Sequence, residues 1–256
     1  MILKKRALKN MKSLTIITVV KNCESGIEKT IKSVLEQDYV DFEYIIEDGE
    51  STDRTLEIIH QYDNDNRLKL YSQLDKGIYD AMNKAVYHSE GEYVFFLNAG
   101  DYFYDNRVLS KFIQQKNIIP DMDIYYGDIK LDEGISHHPK KLSKFWLVYE
   151  ERMIAHQSIF AQKKLFDEYP FDTKYKICAD RDWLIYHVLN GAKSQYLHNN
   201  IIAYYDDNGV SSYYDDYNLE SLRISERYGG VKAVILVKIK RRVGELLGHK
   251  RKWRNR

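Results

Sequence analysis

Five short segments carry residue types at spacings suited to chemistry. Asp48-Gly49-Glu50-Ser51-Thr52-Asp53-Arg54-Thr55 places a carboxylate after an apolar run and before a turn glycine. A carboxylate there can accept a hydrogen bond from a base N–H or a ribose hydroxyl, while Ser51, Thr52 and Asp53 equally suit a helix N-cap. Asn98-Ala99-Gly100-Asp101 closes another apolar run. Its Asp101 can hold a divalent cation between two phosphates and so neutralise a departing diphosphate, or it caps a helix near Arg107–Phe112. In Asp75-Lys76-Gly77-Ile78-Tyr79-Asp80-Ala81-Met82-Asn83-Lys84, the residues Asp80, Asn83 and Lys84 share one helix face, as binding groups or as solvated surface. Asp180-Arg181-Asp182-Trp183 stands at the start of a helical pattern, where an Asp can take the proton of an attacking hydroxyl or serve as a cap and ion-pair partner. His156-Gln157, beside a strand pattern, reads either as structural or as part of the same site.

The elements that must position these residues follow from hydrophobic periodicity. Leu14–Val20 is a short β-branched apolar run, as expected of a strand covered on both faces. Ile27, Ile31, Val34 and Leu35 recur at helical spacing, and Ser25 with Glu28 predicts a capping box opening that helix. Phe42–Ile46, Leu68–Tyr71 and Tyr93–Leu97 read as strands, with helices at 56–59 and 78–88 between them. Strands alternating with crossover helices imply a mostly parallel sheet. Ligands then bind beyond the carboxyl ends of the strands, which gathers Lys21-Asn22, Asp48-Gly49 and Asn98 to Asp101 on one edge. Further on, Ile124–Ile129 and Ser158–Phe160 read as strands, and Asp182–Asn190 and Asn218–Tyr228 as helices. No linker or repeat divides the chain, so one domain over 13–230 is expected, after a basic extension at 1–12.

Composition narrows the classes. In 256 residues, 44% are hydrophobic and 30% charged, enough for a large core. No run approaches the ~18–20 apolar residues of a spanning helix, and Leu14–Val20 is too short for most signal cores. Two distant cysteines, Cys23 and Cys178, support neither a disulfide framework nor a zinc site and suit a cytosolic protein. The net charge of +1 hides an asymmetry: residues 232–256 carry ten Lys/Arg and one acid, while 1–231 carry 29 Lys/Arg against 37 acids. Twenty-two tyrosines suit stacking on sugars or bases and equally suit an ordinary core. A dinucleotide-dependent oxidoreductase would need Gly-x-Gly-x-x-Gly after the first strand; Lys21-Asn22-Cys23-Glu24-Ser25-Gly26 does not supply it.

Taken in order, Ile16–Asn22, Tyr44–Thr55, Ser72–Ala85, Gly91–Asp101, His156-Gln157 and Ala179–Asp182 resemble the motif series of the family 2 glycosyltransferases of GT-A fold, in the branch that builds bacterial O-antigen, capsule and exopolysaccharide. The segment 75–84 is nearly verbatim. The resemblance implies a Rossmann-like α/β sheet flanked by helices. It implies an inverting transfer from a nucleotide diphosphate sugar, UDP-linked by analogy, to a saccharide or lipid-linked saccharide acceptor. By position it puts Thr18, Val20, Asn22 and Glu24 around the nucleotide base with Asp48, and Ser51 beside them. Asp75 and Gly77 fall near the ribose and diphosphate, with Asp80, Asn83, Asn98, Ala99, Gly100, His156 and Gln157 also on the donor side. Asp101 corresponds to the ligand of Mn2+ or Mg2+, and Asp180 to the catalytic base, with Asp182 as the other candidate.

Three departures bear on this. The common metal motif Asp-x-Asp-Asp is reduced to Asn98-Ala99-Gly100-Asp101, which leaves the charge to Asp101. Glu50 and Arg54 stand where relatives have small residues, and a positive φ at either would be costly. Ala179 replaces a Glu common before the base. The reduced motif keeps open the alternative of a non-catalytic nucleotide-sugar-binding or scaffold protein.

The C-terminal segment is amphipathic. Val231, Val234, Ile235, Ile239, Val243, Leu246 and Leu247 fall largely on one helical face, with a basic cluster at 249–256 behind them. That pattern suits the surface of an anionic membrane, or a helix packed on the body with a basic end. With the resemblance it places the protein at the inner face of the plasma membrane. An acidic body without a recognition motif argues against nucleic acid.

Overall fold

The computed structural model describes residues 12–150, 154–205 and 214–246. The basic extension before residue 12, Leu247 and the basic cluster 249–256 lie outside the described residues.

In chain order the elements are β1 (Leu14–Val20), α1 (Ile27–Leu35), β2 (Phe42–Asp48), α2 (Thr55–His60), β3 (Leu68–Ser72), α3 (Ile78–His88), β4 (Tyr93–Phe96), β5 (Tyr102–Phe103) and α4 (Val108–Ile118). Then come β6 (Ile124–Leu131), β7 (Gly134–Ser136), a π-helical turn (Phe145–Tyr149), a 3-10 turn (His156–Ser158), β8 (Ile159–Gln162), α5 (Lys163–Glu168), α6 (Ala179–Leu189), β9 (Ser194–Tyr204) and α7 (Tyr214–Leu246).

The strands form one sheet in the order β3-β2-β1-β4-β8-β6-β9-β5, with β7 paired on β6. β3, β2, β1 and β4 are mutually parallel. β8 runs against both β4 and β6, and β9 runs with β6. Six strands therefore point the same way, and their carboxyl ends share one edge. All seven residues of β1 and of β2 are buried, as continuous apolar runs require when both faces are covered.

Alternate side chains feed two cores. On one face Ile17, Ile45 and Phe96 pack with Met82 and Ala85 of α3 and Trp183 and Leu184 of α6. On the other, Ile16, Tyr44 and Phe95 pack with Ile27, Ile31 and Val34 of α1 and Phe112 of α4. Full burial of such a side chain contributes about 1.5–3 kcal/mol, so the sheet is a rigid platform.

Local chemistry differs from the sequence expectation at several ends. The capping box does not form: Gly26 is the N-cap of α1 without a side-chain bond, and Glu28 pairs instead with Lys32 on the exposed face. β2 and β6 each run two residues longer than the apolar pattern, to Asp48 and Leu131, because parallel neighbours pair β2 to its end and β9 and the antiparallel β7 do so for β6. α6 begins at Ala179, three residues early, so Asp180 lies inside its first turn. α7 is two helices meeting at Gly230, whose φ of 65° is a left-handed conformation that glycine adopts without a Cβ penalty. The break coincides with the expected start of the amphipathic tail.

Candidate active site

On the shared edge, the ends of β1 and β2 are laced together. The Asn22 amide donates to Ser51 Oγ at 2.8 Å, and Asn22 Oδ1 accepts from the Thr52 amide at 2.8 Å. The Glu24 amide donates to Asp53 at 3.1 Å, and the Arg54 amide donates back to Glu24 at 3.0 Å. The expected strain falls on one of the two substituted positions: Glu50 has φ 57° and Asn22 has φ 51°, whereas Arg54 has φ −80°.

Beneath this lacing sits Asp48, fully buried. Its Oδ2 accepts from the Ser51 amide at 3.1 Å and from Ser72 Oγ at 2.7 Å, while its buried Oδ1 has no partner. An unmet carboxylate oxygen is costly and fits a ligand N–H or hydroxyl. Asp75 closes over the same place. It accepts the Gly77 amide at 2.8 Å, and a Cβ at Gly49 would meet its carboxylate, so a larger residue there would displace Asp75.

A second group lies at the ends of β4 and α6. Asn98 Nδ2 donates to His156 Nε2 at 2.9 Å, which leaves the proton on Nδ1 to point at Asp180 Oδ2, 3.2 Å away. Asp180 Oδ1 accepts from Tyr79 Oη at 3.1 Å and from the Arg181 amide at 2.8 Å. Burial, with the Asp180 charge beside it, pushes the Tyr79 hydroxyl well above its ordinary range, so it stays protonated and donates. Phe96, Ile159, Phe166, Phe171 and Trp183 wall the pair His156–Asp180. Asp101 is buried and accepts from Gln157 Nε2 at 2.9 Å. Thr30 Oγ1 donates to the Asp101 carbonyl at 2.7 Å and accepts the Gly100 amide at 3.0 Å, which fixes the Asn98–Asp101 turn on α1.

Among the described residues no cluster of three His, Cys, Asp or Glu side chains can hold an ion alone. The same turn does offer the Asp101 carboxylate and a buried Asn98 Oδ1 without a partner. Those are hard oxygen donors suited to Mg2+ or Mn2+ once phosphate oxygens and water complete the shell. The residues therefore fit a cation that arrives with a diphosphate.

Residues 15–178, well over half of the chain, match the family described as Glycosyl transferase family 2. The chain belongs to that family. Over 194 residues the transferase is 29% identical to the PGL/p-HBAD biosynthesis glycosyltransferase of Mycobacterium bovis, covering 74% of this chain and 75% of the relative. Over 118 residues it is 30% identical to the UDP-Glc:alpha-D-GlcNAc-diphosphoundecaprenol beta-1,3-glucosyltransferase WfaP of Escherichia coli, covering 45% of this chain and 47% of that one. In fold it is similar to the mannosyltransferase PcManGT of Pyrobaculum calidifontis, solved with GDP-Man and Mn2+. The TM-score is 0.65 at 16% identity, over 94% of this chain and 80% of the other. The transferase thus has the GT-A fold and is a glycosyltransferase with relatives in polysaccharide and glycolipid synthesis.

Several expected site residues do other work in the transferase. Thr18 is fully enclosed, bonded to Tyr44 Oη at 3.0 Å and to the Leu97 carbonyl at 2.7 Å, and Val20 packs in the α1-side core. Residues 18 and 20 of β1 both point into that core. Asn83 is spent on the Phe171 backbone in a reciprocal pair at 2.9 and 3.0 Å. Asp80 accepts the Lys76 amide and pairs with Lys84, both at 3.0 Å. Asp182 is fully buried, with both oxygens on Arg227 at 3.1 Å and one on Tyr169 Oη at 2.8 Å. One helix position past Arg181, it points away from Asp180 and ties α6 to α7.

Two residues of the site carry little sequence signal. Tyr79 reads as a plain apolar-face residue of α3, yet it bonds Asp180 and, at 2.7 Å, the Ile177 carbonyl. Glu220 of α7 accepts the amides of Lys176, Ile177 and Cys178 at 2.7, 2.9 and 3.0 Å, fixing the loop that enters α6. Glu220 lies some 40 residues beyond that loop, and no local pattern marks it.

Proposed function

We propose that the enzyme transfers a sugar, with inversion, from a UDP-linked donor to a hydroxyl of a saccharide or lipid-linked saccharide in bacterial surface glycan synthesis. Residues 13–230 form the catalytic unit. The observation that carries this reading is the chain Asn98–His156–Asp180–Tyr79, which joins the turn bearing Asp101 to a buried carboxylate.

In this reading the unmet Oδ1 of Asp48 accepts an N–H of the base, within a cradle completed by Asn22, Glu24, Ser51, Asp75 and Gly77. Asp101, with Asn98 Oδ1, would hold a divalent cation beside the diphosphate, where it would supply positive charge to the leaving group. Ala99 and Gly100 shape that turn, and Gln157 orients Asp101. Asp180 takes the proton of the acceptor hydroxyl. The hydroxyl oxygen bonds to the anomeric carbon as the bond to the diphosphate oxygen breaks on the opposite side, and the electron pair leaves with the diphosphate. His156 and Tyr79 hold Asp180 as the oxocarbenium-like charge develops. WfaP, by its name, uses UDP-Glc and a diphosphoundecaprenol-linked acceptor, which supports the donor and acceptor classes.

The test is Asp180→Asn with purified enzyme and UDP-sugars, with and without Mn2+. Turnover falls by about 10³-fold or more while the Mn2+-dependent thermal shift with UDP persists. Retained turnover would remove Asp180 as the base.

The basic amphipathic tail at 231–256 holds the enzyme on the inner face of the plasma membrane. Among the described residues no helix is long and apolar enough to cross a membrane, while Val231, Ile235, Ile239, Val243 and Leu246 lie exposed along one side of α7. Equal flotation with anionic vesicles by the full chain and by a chain ending at residue 230 removes this part.

A further inference from the structure

The π-helical turn Phe145–Tyr149 buries Leu147 and Val148 but leaves Phe145 and Trp146 57% and 37% exposed. Their rings meet edge to face with centroids 5.9 Å apart. Lys140, Lys141 and Lys144, just before them, are exposed as well. Such a group of aromatic rings and lysines is enriched where a protein meets the headgroup layer of a membrane.

The turn is packed against α7. A Cβ at Gly229 would meet Val148 at 2.9 Å and Tyr149 at 3.5 Å, and Lys240 pairs with the Glu150 carboxylate. Beyond the Gly230 break, Ala233 and Val237 turn inward, while Val231, Ile235, Leu236, Ile239 and Val243 remain exposed. Lys232, Lys238 and Arg242 are exposed among and beside them. Two elements distant in sequence thus present apolar side chains ringed by cations, and Glu150 is already neutralised by Lys240. A second copy of this cationic face would repel the first, whereas an anionic bilayer complements both its charge and its apolar stripe.

We propose that Phe145 and Trp146, together with the outward stripe of the 231–246 helix, form one docking surface for an anionic lipid bilayer. This rests on the membrane reading of the tail and extends it to an aromatic anchor built into the catalytic unit. The anchor is wired to the site: Arg181, next to Asp180, donates from Nη2 to the Leu147 carbonyl at 2.7 Å and from Nη1 to the Ser221 carbonyl of α7 at 2.9 Å. Docking therefore sets the height of Asp180 above the lipid surface, where the hydroxyl of a lipid-anchored acceptor arrives.

The experiment uses the full chain carrying Trp253→Phe, so that emission comes from Trp146 and the buried Trp183. Vesicles of phosphatidylcholine with phosphatidylglycerol are expected to shift emission to the blue, and brominated acyl chains to quench it; phosphatidylcholine alone does neither. Phe145→Ser with Trp146→Ser, in the otherwise native chain, weakens flotation with the anionic vesicles about tenfold, with circular dichroism and UDP affinity unchanged. Vesicle binding without a change at Trp146 overturns the proposal and leaves the tail reading standing; absence of vesicle binding overturns both. Sedimentation showing a lipid-free dimer in which Trp146 is shielded assigns the face to a second copy and also overturns the proposal.

Discussion

Asp48 and Asp180 are both buried carboxylates, and their surroundings differ. Asp180 has both oxygens engaged by donors, from His156, Tyr79 and the Arg181 amide, so it is held in one rotamer at the end of a hydrogen-bonded chain. Asp48 has one oxygen engaged by Ser51 and Ser72 and one with no partner, which makes it a waiting acceptor. Loss of a hydrogen bond to a charged group costs about 1.5–3 kcal/mol, so Asp48→Ala is expected to weaken UDP binding by roughly 10- to 100-fold. Isothermal titration calorimetry reads this directly. An unchanged affinity would mean that the base sits elsewhere.

At the scale of elements, the loop 176–178 and α6 depend on α7. Glu220 collects three backbone amides from that loop, and Arg181 returns bonds to Ser221, Ser225 and Leu147. Glu220→Ala leaves three amides without their acceptor next to Asp180. At about 1–3 kcal/mol for each unmet buried group, partly relieved by water, a loss of about 3 kcal/mol is expected. For a domain of this size that lowers Tm by roughly 6–12 °C, as calorimetry would show. The same helix α6 carries His187, 2% exposed, whose Nε2 has no partner.

At the scale of the whole molecule, two buried histidines contribute to the pH dependence of stability. Burial pushes His187 and His138 below their ordinary value of 6.5. Below that pH the unfolded chain takes up protons that the folded chain refuses, so their contribution is complete above pH 6.5 and is lost as pH falls toward the folded-state values. Tm measured from pH 8 to pH 5 is expected to drop in the lower half of that range, and His187→Phe is expected to flatten the drop. A Tm that rises on acidification would contradict this. The two helical halves of α7 differ: the first holds the 176–178 loop through Glu220 and the π-helical turn and Arg181 through Ser225, and the second turns apolar side chains outward beyond Gly230.

Strand and helix alternation, the shared carboxyl edge and the candidates Asp48, Asp101 and Asp180 are all legible along the chain, because each depends on local periodicity and on residue types at strand ends or a helix start. The amphipathic tail from Val231 is legible for the same reason, whereas the left-handed Gly230 just before it emerges only in the folded chain. Which carboxylates are spent on structure is not legible. Asp180 and Asp182 are two positions apart with the same side chain, and only the arrival of Arg227 and Tyr169 from other elements withdraws Asp182. Thr18 and Asn83 match their motif positions yet face the interior, since the partners that consume them, Leu97 and Phe171, lie 79 and 88 residues away. Local sequence fixes what each residue can offer. Long-range packing decides which offers are already taken: Asp182 is filled by Arg227 and Tyr169, while Asp48, bonded to distant Ser72 through one oxygen, keeps the other open.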